Sequence, residues 1–179
     1  MKKRTVRPVF WKKWILGLVG SGVIVLGGVN SFMNNNNISV LKVEDGDTVT
    51  LSSGKTVRII GINAPEIGEK NYEQAKGYLA YLVMNKQVWI EQDRYLQDRY
   101  GRELVWLWVG CEGETKFMAN DYMVKNDGSH NTPLADNPVG CKKGKLVSEE
   151  MVKEGFAKVY FLSQKGEMKY EERLSKIGK

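Results

Sequence analysis

The sequence predicts an α+β fold organised as a small β-barrel, and three observations carry that expectation. From Ile38 onward, short runs rich in β-branched residues alternate with a period near two, the pattern of half-buried strands. Helical spacing enters only after the first three such runs and again near the C-terminus, so strands and helices are segregated. Several short strands around one core, in a chain of 179 residues, suit a sheet that closes on itself.

The elements follow in order. "ISVLKVE" (38–44), "DTVTLS" (47–52) and "KTVRIIGI" (55–62) read as three strands, with a turn at Ser53 and Gly54. If those two residues form the hairpin loop, Val49 lies opposite Arg58, and Asp47, Val49 and Leu51 share a face with Thr56, Arg58 and Ile60. "YEQAKGYLAYLVMNK" (72–86) spaces Tyr72, Ala75, Leu79, Leu82 and Val83 as one face of an amphipathic helix. "QVWIEQ" and "ELVWLWV" are two further strands, joined by "DRYLQDRYGR" (93–102). A polar stretch bracketed by Cys111 and Cys141 follows. "LVSEEMVKEG" then reads as a helix stopped at Gly155, "FAKVYF" as a last strand, and "EMKYEERLSKIGK" as a terminal helix. The two "QDRY" copies are too short to mark a structural repeat.

Charge is distributed unevenly. The formal net charge is +6 and the pI about 9.2, values common in nucleic-acid or membrane binders. Yet Lys2, Lys3, Arg4, Arg7, Lys12 and Lys13 account for all of the excess, because the first 30 residues hold no acid. The rest of the chain is formally neutral, which argues against a basic groove for tight, sequence-independent duplex binding. After Lys13 comes "WILGLVGSGVIVLGGVNSFM" (14–33), wholly uncharged and about as long as the ~20 residues that span a bilayer. We read residues 1–37 as a cytoplasmic basic stretch, an apolar export segment and an Asn-rich linker, and residues 38–179 as one folded domain. An uncleaved, single-pass anchor with its N-terminus in the cytoplasm is favoured, since "VNS" at 29–31 is a poor cleavage site; removal of residues 1–31 would give a secreted form. In an exported chain Cys111 and Cys141 are expected to pair, closing a loop of about 30 residues over the insertion at 111–141. A Cys, His, Cys metal site with His130 is disfavoured, because the spacing matches no zinc pattern and a fourth ligand is missing.

Three stretches carry chemistry together that each lacks alone. "VEDGDT" places Asp45 and Asp47 around Gly46, "RIIGINAPE" runs Arg58 down a strand into Asn63, Ala64, Pro65 and Glu66, and "DRYGR" holds Arg99, Tyr100 and Arg102. Singly, these are a turn, a loop start and a solvated bend. Jointly, Asp47, Asn63 and the backbone carbonyl of Ala64 offer hard oxygens suited to a cation such as Ca2+. Two arginines can clamp a phosphate, and Glu66 can take a proton from water. Metal, clamp and base are the parts that phosphodiester hydrolysis requires. No Ser-His or Cys-His pair competes.

"VEDGDTVTL", "VRIIGINAPE", "DRYGR" and "EEMVKEGFAKVY" occur in that order and at compatible spacing, and together they resemble the thermonuclease family typified by staphylococcal nuclease, over about residues 38 to 175. The resemblance implies a five-stranded OB-type barrel with about three helices. It also implies calcium-dependent endonuclease action on DNA and RNA, leaving 3′-phosphates. By position, Asp47 matches a calcium ligand and Asp45 an acid supporting the metal's water shell. Arg58 and Arg102 match the phosphate-binding arginines, Glu66 the general base or water-positioner, and Tyr100, with Arg99 beside it, the nucleotide pocket. A monomer with no protein partner is expected.

This chain departs from the family in four places. Asn63 stands where an aspartate is usual, which keeps an oxygen ligand but removes one charge, so calcium affinity should fall. Two pocket tyrosines fall on Phe161 and Ser163. The terminal helix is shorter, and the Cys-bracketed insertion has no counterpart in the type protein. Tyr95, Trp106 and Trp108 can be read as base-stacking platforms, although the tryptophans sit in a core strand and are better read as packing. The rival readings are a catalytically weak or inactive OB module that binds nucleic acid or another surface partner, and an anchored adaptor with the insertion as binding loop.

Overall fold

The computed structural model describes residues 37–113, 117–118, 136–161 and 168–178, all within the unit Asn34–Lys179. The expected export segment at 14–33, the Asn linker up to residue 36, His130, Ser163 and the middle of the insertion lie outside the described residues. Among those described, no helix is long and apolar enough to cross a membrane.

Five strands build the barrel: β1 (Val40–Val43), β2 (Thr48–Leu51), β3 (Thr56–Ile59), β5 (Val88–Gln97) and β6 (Glu103–Val109). Their order is β1-β2-β3-β6-β5, with β3 and β6 parallel and the other adjacent pairs antiparallel. The ring closes where Ser39 bridges Gln87 and the Val88 N–H donates to the Ile38 carbonyl at 3.0 Å. Two short strands, β7 (Phe117–Met118) and β8 (Lys145–Leu146), add to β5 and β6, so the sheet is larger than five strands. A separate ribbon pairs β4 (Ile62–Asn63) with β9 (Lys158–Val159). The expected last strand is thus two residues long and lies outside the barrel sheet. Helices α1 (Tyr72–Val83), α2 (Val147–Lys153) and α3 (Glu171–Ile177) complete the α+β fold.

The apolar pattern explains where each element sits. Val49, Leu51, Val57, Ile59, Ile90, Val105 and Leu107 fill the interior, against Ala75, Leu79 and Leu82 of α1 and Met151 of α2. "ELVWLWV" runs apolar without alternation because β6 is covered on both sides. Val105, Leu107 and Val109 face the interior, whereas Leu104, Trp106 and Trp108 pack outward against Met168, Tyr170 and Leu174. The two tryptophans are packing residues, with Tyr170 meeting each of them edge-on at 5.1 and 5.4 Å.

A buried polar network holds this outer layer. The Trp106 indole N–H donates to Asp93 at 2.6 Å, and Glu91 accepts from the Trp108 indole at 3.2 Å and the Tyr170 hydroxyl at 2.7 Å. Lys169 pairs with Glu91, and Arg173 of α3 pairs with Glu149 of α2. Arg173 also donates at 2.7 Å to Asn137, whose amide in turn donates to the carbonyls of Cys141 and Gly144, both at 2.9 Å. Cys111 and Cys141 form a disulfide at this point.

Two sequence readings need correction. The β2–β3 register pairs Thr48 with Arg58 and Val49 with Val57, not Val49 with Arg58. Leu51 and Lys55 close the hairpin through the Leu51 N–H and the Lys55 carbonyl at 2.9 Å, so the loop is three residues, Ser52 to Gly54. A one-residue slip inverts the faces: Val49 and Val57 meet inside, and Arg58 shares its face with Thr48. The second correction concerns "DRYLQDRYGR", much of which is strand, since β5 continues to Gln97 with a register irregularity after Gln92.

Candidate functional site

Of the residues singled out from the sequence, Asp45, Asp47, Arg58, Asn63 and Arg102 meet at the start of β2, the end of β3 and the β5–β6 turn. Glu44 to Asp47 bend sharply, with the Asp47 N–H donating to the Asp45 carboxylate at 2.9 Å. Gly46 permits the bend to sit where it does: a Cβ there would lie 2.5 Å from the Ala64 Cβ and 3.0 Å from that of Ala75. With the chain pressed against Ala64, the Asp47 carboxylate accepts the Ala64 N–H at 3.2 Å. It also accepts the Thr48 hydroxyl at 3.1 Å and pairs with Arg58.

Arg58 links the two candidate metal ligands. Its guanidinium donates to Asp47 and, through its other terminal nitrogen, to the Asn63 side-chain oxygen at 3.0 Å and the Ile62 carbonyl at 3.5 Å. Arg102 reaches the same cluster from the far side, donating to the Thr48 hydroxyl at 3.2 Å. One hydrogen-bonded row therefore runs Arg102, Thr48, Asp47, Arg58, Asn63.

Arg102 is aimed by a carboxylate that the sequence reading did not single out. Asp98 accepts the backbone N–H groups of Tyr100 and Arg102 at 2.8 and 3.0 Å, and the Arg102 Nε–H at 2.6 Å. Gly101, at φ 79°, supplies the left-handed turn that lets one side chain cap all three. Burial alone would raise the Asp98 pKa, but the hydrogen bonds from Arg102 and Tyr100 outweigh it and hold the carboxyl below its ordinary value. Thr48 was also missed, since its role appears only once β2 and the β5–β6 turn meet. The signal for Asp98 is present in the sequence, an aspartate four residues before an arginine with glycine between.

Tyr100 is exposed, with the Arg99 and Arg102 guanidinium groups 4.7 and 5.5 Å from its ring centre. Glu66 is exposed on the loop two residues beyond Ala64; its backbone N–H donates to Glu69 at 2.8 Å, and no described hydrogen bond ties its carboxylate to the row. Tyr95 is half-buried against the outer tryptophan layer, as is Phe161.

The electrostatics centre on Asp47, only 3% exposed. Burial raises its pKa from 3.8 to about 6, and the Asp45 charge adds to the rise. The Arg58 guanidinium and the hydrogen bonds from Ala64 and Thr48 oppose it without cancelling it. A buried carboxylate left short of compensating charge, beside an amide oxygen within reach of the same guanidinium, suits a hard cation in its donor chemistry. Among the described residues no group of three or more His, Cys, Asp and Glu side chains gathers into a metal-binding cluster. Such an ion would therefore take much of its shell from water or substrate. The contact of Ala64 with Asp47 runs through its N–H.

The family described as Staphylococcal nuclease homologue matches residues 56–179, more than half of the chain. The thermonuclease of Staphylococcus hyicus is 30% identical over 101 residues, covering 51% of this chain and 60% of that protein. That of Staphylococcus intermedius is 33% identical over 82 residues, 41% of this chain and 49% of its own length. Protein ParB of Escherichia coli is 36% identical over 76 residues, 41% of this chain and 42% of its length. The chain thus spans about two fifths to three fifths of the curated relatives that it matches.

Proposed function

This chain belongs to the staphylococcal nuclease homologue family, and on that premise we propose that it is an exported or membrane-anchored endonuclease hydrolysing phosphodiester bonds of DNA and RNA. The observation that carries the reading is the row joining Arg58 and Arg102 through Asp47 and Thr48. Two guanidinium groups held on one face by buried acceptors are preorganised to grip two oxygens of a single phosphate, where charge builds in the transition state.

The chain's residues divide the work as follows. Arg58 and Arg102 bind the scissile phosphate and stabilise its equatorial oxygens. Asp98 and Thr48 hold Arg102 in place, and Asp47 holds Arg58. Glu66, exposed on the loop two residues beyond Ala64, takes the proton from a water whose oxygen attacks phosphorus. The bond to the 5′ oxygen breaks, that oxygen leaves with the downstream strand and takes a proton from solvent to become its 5′-hydroxyl, and a 3′-phosphate remains on the upstream product. Asp47, Asn63 and the Ala64 carbonyl would hold Ca2+, with Asp45 behind them, and the ion would supply Lewis-acid charge at the phosphate. Tyr100 and Arg99 would contact the nucleotide.

Export is supported by the basic stretch followed by uncharged residues 14–33, and by the Cys111–Cys141 disulfide, a bond at home in oxidising compartments. Plasmid digestion by the purified chain in calcium against chelator tests the activity. Glu66→Gln and Arg102→Ala should each lower turnover by about 10²–10³-fold, the usual cost of removing one such group; a loss under about threefold in either would refute the assignment. Asn63 favours one alternative, a binding module that has lost catalysis, and such a module would retain DNA while leaving the plasmid intact.

A further inference from the structure

The β4–β9 ribbon continues the row beyond Asn63. Lys158 is directly opposite Asn63 in the antiparallel register, and opposite residues of such a pair project to the same face. Tyr160, two residues on, projects to that face as well. Its N–H donates to the Gly61 carbonyl at 3.0 Å, which carries the ribbon one step past β9. The opposite face is fixed by Ile62, 1% exposed, and by Val159, which packs on the outer tryptophan layer. The ribbon consequently cannot turn over.

The Lys158 side chain is exposed and makes no hydrogen bond or ion pair with the described residues. Lys55, Lys145, Lys153, Lys169 and Lys176 are all paired with acids. Tyr160 is 51% exposed, large and apolar, with Tyr100 at the other end of the row 68% exposed. An exposed aromatic, two cations at the reacting phosphate, a further cation and a second exposed aromatic form the alternation that a single nucleic-acid strand fits, bases on rings and phosphates on cations.

We propose that Lys158 and Tyr160 form a further nucleic-acid subsite beside Asn63, which takes the phosphodiester and the base adjoining the reacting ones along an unpaired strand. The assignment of the reacting phosphate rests on the nuclease reading above. Lys158 supplies charge to the neighbouring phosphate, and Tyr160 stacks on the neighbouring base.

Two 5′-fluorescein oligothymidylates, of two and ten nucleotides, test this by fluorescence anisotropy with the full chain in chelator, where cleavage is suppressed. Tyr160→Ala and Tyr160→Leu should weaken decamer binding about tenfold, and Tyr160→Phe, which keeps the ring, should not. Lys158→Gln should reduce the slope of log affinity against log salt by about 0.7, one phosphate contact on a single strand. The dimer, whose single phosphodiester is taken up at Arg58 and Arg102, should lose less than about threefold in every variant. Decamer affinity within twofold of wild type in Tyr160→Ala and Lys158→Gln overturns the subsite, as does equal loss for both lengths or failure of the wild type to bind the decamer. Calcium-dependent plasmid cleavage by the wild type is scored separately. Its absence refutes the nuclease reading and leaves the anisotropy result to decide the subsite.

Discussion

Replacing Asp47 by asparagine should stabilise the metal-free protein at neutral pH, although Asp47 is among the residues on which the proposed activity depends. In the folded chain its carboxyl titrates at about 6 instead of 3.8, with burial the main cause. Between those values the native state keeps a proton that the unfolded chain has released. The carboxyl's favourable contribution is therefore complete below about 3.8 and is lost as pH rises through about 6. At about 1.36 kcal/mol per pH unit, ionising Asp47 inside the fold costs about 3 kcal/mol by pH 7.5. The asparagine oxygen can still accept from Ala64 or Thr48, and Arg58 retains the Ile62 carbonyl and Asn63. Urea unfolding in chelator, for both proteins across pH 4 to 7.5, reads the difference directly. The stability gap in favour of Asp47→Asn should widen by about 2 kcal/mol over that range, with unchanged m values. A gap that stays flat within about 1 kcal/mol, or that narrows, refutes the reasoning. Calcium added at neutral pH should restore stability to the wild type more than to the variant.

Two further outcomes follow from the same geometry. Asn63→Asp adds a carboxylate where Arg58 now donates to an amide at 3.0 Å, so half-maximal activity should require less calcium; a calcium titration showing equal or weaker affinity counts against Asn63 as a ligand. Opening the Cys111–Cys141 disulfide, which closes a separation of 30 residues, by Cys→Ser at both positions should cost about 3–4 kcal/mol in the chain-entropy model, read as a lower urea midpoint. No change in that midpoint would mean that the loop is already ordered in the unfolded chain.

How much of this was legible depends on the range of the interaction. The strands declare themselves because each alternates or runs apolar over four or more residues, and α1 because Ala75, Leu79, Leu82 and Val83 repeat at helical spacing and are all buried. The β2–β3 register did not follow from composition. Ser53-Gly54 suggests a two-residue loop, but burying Val49 against Val57 requires a third loop residue. Asp47 and Arg58 still meet, through a bend at Gly46 and not through strand alternation. Local chemistry was readable in the same way: Asp45, Asp47, Arg58 and Asn63 all lie within two hairpin strands and their ends. Thr48 meeting Arg102, Lys158 meeting Asn63, and Tyr170 meeting Glu91 join distant parts of the chain, and no short pattern announces them. The polar outer layer was likewise hidden, because Glu91 and Asp93 read as solvated charges until the indoles above them are in place.

That outer layer also constrains when folding can finish. Met168, Tyr170 and Leu174 are at most 1% exposed and cover one face of β6, so the segment 168–174 forms part of the wall. A nascent chain in which residues 168–174 are still inside the ribosome or a translocation channel would have Trp106 and Trp108 open to water, and the Glu91 and Asp93 carboxylates without their Lys169 and Tyr170 partners. Completion waits for this segment to emerge, and the emission of these indoles should report the moment at which it seats.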